Sequence, residues 1–410
     1  MLTATDPEPA ADFDPSKPIA LHALTFLDEG AEVTVGCRDV DSYAVLPADG
    51  AALLRRLAEG VSAAEGAEWY HQTYGETVDM ADFVDTLTEL GFVREAGEQP
   101  VAAPTGPVRW SRLGRAVFSP ASGLLAVAVL IWTVVEMVRV PGLAPRYTDI
   151  FFSKSLVLDG MVMAFGQVPL LLLHESAHAL SGRRLGLNSK LSIGRRLYYV
   201  VFLTTLNGLV SVERRKRYLP MLAGMITDVM VMAVLLLIAD AVRENGQMTV
   251  ASKLLIGIAY FTLLRLLWQF LFYLETDLYY ITVTALGCVD LHKAARRIAY
   301  NRMARLFGRK TPRYDESQFH PRDRQVARWY SWLIIFGYTM SFGLLVLSAF
   351  PMVLLLGGVF GRFLHPGQAT AAGLADSCLF VVLLVAQITL LAWPSYQKRR
   401  AARAAQVASS

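Results

Sequence analysis

The pattern of apolar and polar positions changes character near residue 115. Before it, apolar residues come in short runs. Residues 22–28 and 32–36 predict two strands, and Tyr43–Leu46 a third. Ala48–Ala58 reads as a helix ended by Gly60. Ser62 is placed to cap a second helix that runs through Tyr74 and stops at Gly75. Asp79 starts a third, MADFVDTLTEL, whose apolar positions recur at helical spacing, and Gly91-Phe92-Val93 predicts a returning strand. These elements make a small α+β module over 19–96. An acidic, Pro-rich stretch at 1–18 precedes it as a disordered lead-in, and GEQPVAAPTGP marks a linker over 97–108.

After Arg115 the runs lengthen. A helix needs about 20 apolar residues to cross a bilayer. Six segments qualify: 116–135, 156–180, 219–238, 254–286, 332–356 and 374–393. The fourth is too long for one simple span and is expected to be tilted, kinked or broken. Between the second and third lies LYYVVFLTTLNGLVSV (197–212), rich in β-branched and aromatic residues. It predicts a hairpin turning at Asn207-Gly208 and lying in or against the membrane. The expected fold is therefore mainly α, a polytopic membrane helical bundle of about six spans with a small N-terminal α+β domain. Along the chain this gives a membrane core at 109–300, a basic loop at 301–330, two C-terminal spans within 331–395 and a basic tail at 396–410.

Composition agrees. Hydrophobic residues make up 54% of the 410 residues and charged ones 18%, and mean hydropathy is +0.39. The net charge of +4 conceals basic residues crowded at the ends of the apolar runs. That is membrane topology rather than a nucleic-acid surface. With the N-terminus inside, the inner segments flanking the spans hold 27 Lys and Arg: Arg109, Arg112 and Arg115 just before the first span, nine over 181–217, eleven over 288–330 and four after Trp393. The outer side holds six: Arg139, Arg146, Lys154, Arg243, Lys253 and Arg362. Both termini are expected in the cytoplasm, in keeping with an N-terminus that lacks the pattern of a signal peptide. Cys37, Cys288 and Cys378 show no disulfide or metal spacing and are expected to be small buried hydrophobes.

The second segment carries HESAH at His174 to His178. Residues four apart share a helix face, so both imidazoles reach one ion, and zinc takes neutral His nitrogens while keeping a position for water. Glu175 lies beside that face, placed to take a proton from the water and pass it to a leaving amine. Ionisable groups inside a span are costly and mark function. The competing readings are a hydrogen-bonded polar cluster that joins helices and cytoplasmic-end residues that reach interfacial water.

Catalytic zinc needs a third protein ligand. Asp277 is the leading candidate: Arg265, Gln269, Tyr273 and Asp277 follow at steps of four along the fourth segment, a polar stripe on an apolar helix. Alternatively Asp277 pairs with Arg265 or another basic group. Glu275 and Asp228 are weaker candidates, and Asp228, mid-span in the third segment, is also placed to hold a substrate backbone or the water. Pro169 removes a hydrogen bond to Phe165 and should bend the motif helix, which opens water access or simply helps packing.

HESAH with its apolar approach, the hairpin after it, Ala223-Gly224 opening the third span and an intramembrane Asp together resemble the site-2 protease family of intramembrane zinc metalloproteases, over about 150–300. TDLYY further resembles the FDGYY-like stretch of its peptide zinc metalloprotease branch. The resemblance implies zinc on His174, His178 and Asp277, Glu175 as general base, and cleavage of a membrane-inserted peptide unwound against the hairpin, with Asn207 and Gly208 as substrate-binding positions. Two positions depart from the pattern: Ala177 and Leu278 stand where that family has Gly. The N-terminal strands and short helices resemble a winged-helix module. VTVGCRDVDSYAVLPADGAALLRRLAEGVS and LTELGFV resemble its PqqD-like form, which implies a peptide ligand at an exposed strand edge.

Two functions follow. One is hydrolysis of a peptide bond in a membrane-associated protein or peptide. The other is a non-proteolytic membrane protein that binds or tethers a peptide for a modified-peptide biosynthesis or export system. The basic stretch 293–328 reads as a cytoplasmic loop whose amphipathic start rests on anionic lipid, with His292 and His320 as solvated side chains.

Overall fold

A computed structural model describes residues 14–29, 32–37, 40, 42–94, 108–153, 156–197, 199–308, 314–365, 367 and 370–408. The linker through residue 107 and most of the lead-in lie outside them. The chain is mainly helical, and its described residues form one three-stranded sheet and one two-stranded sheet. Contacts divide it into two compact units: Met1–Val117 with His178–Lys190 and Thr204–Pro220, and Phe118–Ala177 with Leu191–Leu203 and Met221–Ser410.

In the first unit, β1 (Leu24–Asp28), β2 (Glu32–Cys37) and β3 (Ser42–Pro47) form an antiparallel sheet with β2 in the middle. Alternation turns Val33, Val35 and Cys37 to one face. There they join Ala51 and Leu54 of α1 (Ala48–Ala58), Leu87 of α3 (Met80–Glu89) and Phe92 in a buried core. The helix starts are chemical. Ser62 and Glu65 form a reciprocal capping box on α2 (Ala63–Tyr74), and Asp79 accepts the amides of Ala81 and Asp82 on α3. The expected strand at Gly91–Val93 reduces to one bridge, Leu21 to Val93, because Gly91 turns the chain and Phe92 drops into the core. A short helix, α4 (Ser111–Val117), crosses the end of α6 (Leu156–Arg184) so closely that a Cβ at Gly114 would strike the Leu180 carbonyl.

The hairpin differs from expectation. Its strands are β4 (Asn188–Arg196) and β5 (Tyr199–Asn207), so it turns between residues 196 and 199. Asn207 ends β5 instead. Gly208, at φ 83°, then starts a 3-10 turn, Leu209–Ser211, that packs against β1 and β2. The apolar window hid the polar first strand, NSKLSIGRR, from the sequence pattern. Nearby, Arg217 donates to Glu29 at 2.8 Å and to the Val212 carbonyl at 2.6 Å.

The second unit holds most of the length of the long helices. Among the described residues, four helices are long and apolar enough to cross a membrane: α5 (Pro120–Arg139), α7 (Arg214–Ala241), α8 (Val250–Trp268) and the Pro321–Leu347 part of α11 (Pro321–Leu364). Leu124, Leu125, Ile131, Trp132 and Val138 all stand exposed on α5, which suits a lipid neighbour better than water. The expected second span corresponds to α6, which also carries Asp159, Glu175, Arg183 and Arg184. The expected sixth span lies within α12 (Ala371–Ala408). That helix continues through the stretch expected to be a tail.

The over-long fourth segment is broken. α8 ends at Trp268, a 3-10 turn covers Phe272–Leu274, and α9 (Asp277–Leu286) starts afresh. The basic stretch after it folds largely as α10 (Leu291–Leu306), whose buried face of Leu291, Ala294, Ala295 and Ile298 packs on Val326, Ala327, Tyr330 and Ile334 of α11. His292 is therefore buried, not solvated, with its ring against Tyr279 and Tyr330, and burial pushes its imidazole below the usual value. His320 is half-buried at the start of α11. Of the cysteines only Cys37 is buried; Cys288 is half-buried and Cys378 exposed.

Candidate metal centre

α6 runs unbroken through Pro169 and carries His174 and His178 one turn apart. Both are buried, at 4% and 7% exposure. Each Nδ1 faces an oxygen that only accepts. His174 Nδ1 lies 2.9 Å from Asp228 Oδ2, and His178 Nδ1 lies 2.7 Å from the Pro220 carbonyl. Both Nδ1 atoms must therefore carry hydrogen, which leaves the Nε2 lone pairs to bind. Glu175, next along the helix, is also buried.

Asp277 is the first residue of α9, and the break before it fixes its place. Gln269, just past α8, spans the gap. Its side-chain oxygen accepts the Asp277 amide at 3.0 Å, and its carbonyl accepts Thr276 Oγ1 at 2.6 Å. Glu275 takes a left-handed backbone, φ 52°, and its carboxylate is held by Arg196, which also donates to Tyr280 Oη at 3.0 Å. From α11, Tyr330 Oη donates to the Phe272 carbonyl at 2.8 Å, and Ser341 meets Tyr273 Oη at 2.8 Å. Gly337 leaves room for the Tyr273 ring, which a Cβ there would strike.

One ligand atom from each of His174, His178 and Asp277 lies within 4.8 Å of the other two. His174 Nε2 and Asp277 Oδ2 are 3.3 Å apart. Two donors bound tetrahedrally to one zinc at 2.0–2.1 Å would sit about 3.3 Å apart. The two buried imidazoles and the partly exposed carboxylate converge on one point, where a cation would be held by all three. The donor set, its spacing and the Nδ1 anchors all fit a divalent metal. Among the described residues this is the group with that geometry.

Other expectations need correction. Arg265, Gln269, Tyr273 and Asp277 do not form a stripe on one helix, because α8 stops before Gln269. Arg265 does not pair with Asp277. It grips Asp228, with Nη2 to Oδ1 at 2.6 Å and Nε to Oδ2 at 3.0 Å. Asp228 thus spends both oxygens on His174 and Arg265, and it stands behind a ligand rather than in front of the metal. Glu275 is engaged by Arg196 and is not in the ligand group. Asn207 and Gly208 lie at the end of β5, in the first unit. Sequence reasoning missed Gln269 as the cap of α9, since a Gln inside a long apolar run gives no sign that the helix stops there. No family model, curated protein or solved structure matches the chain.

Proposed function

We propose that this chain is an intramembrane zinc metalloprotease that hydrolyses a peptide bond in a membrane-associated protein or peptide. The observation that carries the reading is the convergence of His174, His178 and Asp277 within 4.8 Å, with Glu175 on the same helix as the two histidines. His174 and His178 would hold zinc through Nε2 and Asp277 through a carboxylate oxygen. A zinc ion bound there supplies Lewis acidity and lowers the pKa of a bound water toward neutrality.

The chain's own groups do the rest. Asp228 and the Pro220 carbonyl hold the imidazoles in the tautomer that leaves Nε2 free. Glu175 accepts the proton of the attacking water and returns it to the leaving amine. The apolar helices around α6 exclude bulk water and so strengthen each of these charges. The hairpin offers strand edges against which a substrate helix can unwind, because a scissile bond locked in helix hides its carbonyl.

In this reading the six apolar segments cross the bilayer with both termini in the cytoplasm, as the 27 to 6 distribution of basic residues argues. The N-terminal unit acts as a PqqD-like winged-helix module that captures a peptide at a strand edge. The test is metal analysis of the purified chain in detergent. One zinc per chain, lost in His174→Ala and in Asp277→Ala, is expected. Absence of zinc from the wild-type chain would favour the peptide-tethering function instead.

A further inference from the structure

We propose that Arg265 and Asp228 act as a charge-locked support for His174, a positioning device that fixes the tautomer and rotamer of the first metal ligand. The proposal rests on the metalloprotease reading and adds two residues to it that bind neither metal nor substrate.

Asp228 is fully buried in α7, in the middle of an apolar helix. A lone carboxylate there would be protonated or expelled. Arg265 prevents this with two parallel hydrogen bonds, 2.6 Å and 3.0 Å, in the fork geometry that a guanidinium offers and an ammonium does not. The same Oδ2 that receives Arg265 Nε also receives His174 Nδ1 at 2.9 Å. The carboxylate is thus locked on one side by a permanent charge and presents its remaining lone pairs to the imidazole. That arrangement selects the Nδ1–H tautomer and holds the ring plane.

The lock closes on itself. Arg265 Nη1 donates to Gln167 Oε1 at 3.0 Å, and Gln167 Nε2 donates to the Ile258 carbonyl at 3.0 Å. Gln167 and His174 are seven residues apart on α6, two turns along the same face. One hydrogen-bonded chain therefore ties α6, α7 and α8 around the ring. Its charges cancel internally. A buried ion pair is seldom the cheapest way to join helices, since apolar residues of similar volume often serve as well or better. Its contact with a ligand nitrogen gives a reason for the pair that helix packing does not.

The experiment measures zinc affinity of the full-length chain in detergent, by competition with a chromogenic chelator, alongside thermal unfolding. Asp228→Asn and Arg265→Gln should each weaken zinc binding about 10- to 100-fold, the range for loss of a group that orients a metal-bound His. Arg265→Lys should restore only part of the loss, because an ammonium keeps the charge but not the fork. The paired variant Asp228→Leu with Arg265→Met removes the charges together. It should fold with wild-type stability or better and still bind zinc weakly. Wild-type affinity in the paired variant, or its failure to fold, would assign the pair to helix packing alone and overturn the proposal. Zinc bound by the wild-type chain, lost in His174→Ala and unchanged in Asp228→Asn would remove this proposal while leaving the protease reading intact. A wild-type chain that binds no zinc would remove both.

Discussion

The side-chain oxygen of Gln269 accepts the backbone amide of Asp277 at 3.0 Å, so the residue that follows α8 caps the first turn of α9. A helix broken inside an apolar layer exposes amides with no water to satisfy them. Here the lost helical bond is replaced by a side chain, and the replacement sets where the carboxylate of Asp277 points. Gln269→Leu should leave that amide unsatisfied at a cost of about 1–3 kcal/mol. The expected readouts are a lower unfolding temperature and at least tenfold weaker zinc binding. Unchanged zinc affinity would show that the carboxylate is placed without the cap.

Glu175→Gln keeps the shape of the α6 side chain and removes its ability to take a proton. Hydrolysis of a membrane-inserted peptide should fall by about 10²- to 10⁴-fold, the usual contribution of a general base. Zinc content should stay at the wild-type level. Cleavage that persists in this variant would rule out the mechanism.

Gly337 lets α11 approach the Tyr273 ring in the turn before Asp277. Gly337→Ala should cost about 1–3 kcal/mol through overpacking. It should also displace the turn and weaken zinc binding, although residue 337 touches no ligand. Gly343 has open space around it, so Gly343→Ala serves as the control, with stability and zinc binding both retained.

Glu29 meets Arg217 at 2.8 Å, and the Arg217 side chain is only 11% exposed. Glu29→Ala leaves that guanidinium without its carboxylate and should destabilise the first unit by about 1–3 kcal/mol. Thermal unfolding of the full chain would register this as an earlier transition. Glu29→Gln retains an acceptor and should lose less.

Tyr70 donates to Asp49 at 2.5 Å in the N-terminal module. That bond holds the Asp49 carboxyl below its ordinary 3.8 and pushes the Tyr70 phenol from 10 up to about 12. The Asp49 contribution is present above its unfolded value and is lost as pH falls through the lowered folded value. The Tyr70 contribution is present below pH 10 and is lost as pH rises through about 12. Tyr70→Phe should lower stability between these limits and flatten both arms of the stability–pH curve. Equal pH dependence in the two proteins would refute this.

The legible parts were those governed by neighbours in the chain. Ser62, Asp79 and Gly75 cap their helices because capping is settled within three or four residues. The His174–His178 pair was legible because one helical turn fixes it. The hairpin turn was misplaced because its first strand is polar and pairs through backbone groups, which leave no apolar trace. The fourth segment was recognisably too long, but its apolar letters do not show where hydrogen bonding stops.

By itself the sequence determined the apolar helices, the small N-terminal module and two imidazoles on one helical face, since each depends on spacing along the chain. Only the tertiary structure decided that Arg265 belongs to Asp228, that Gln269 caps α9 and that Asp277 meets His174. Those partners sit on different helices, and their choice depends on which buried charge finds compensation once the helices pack.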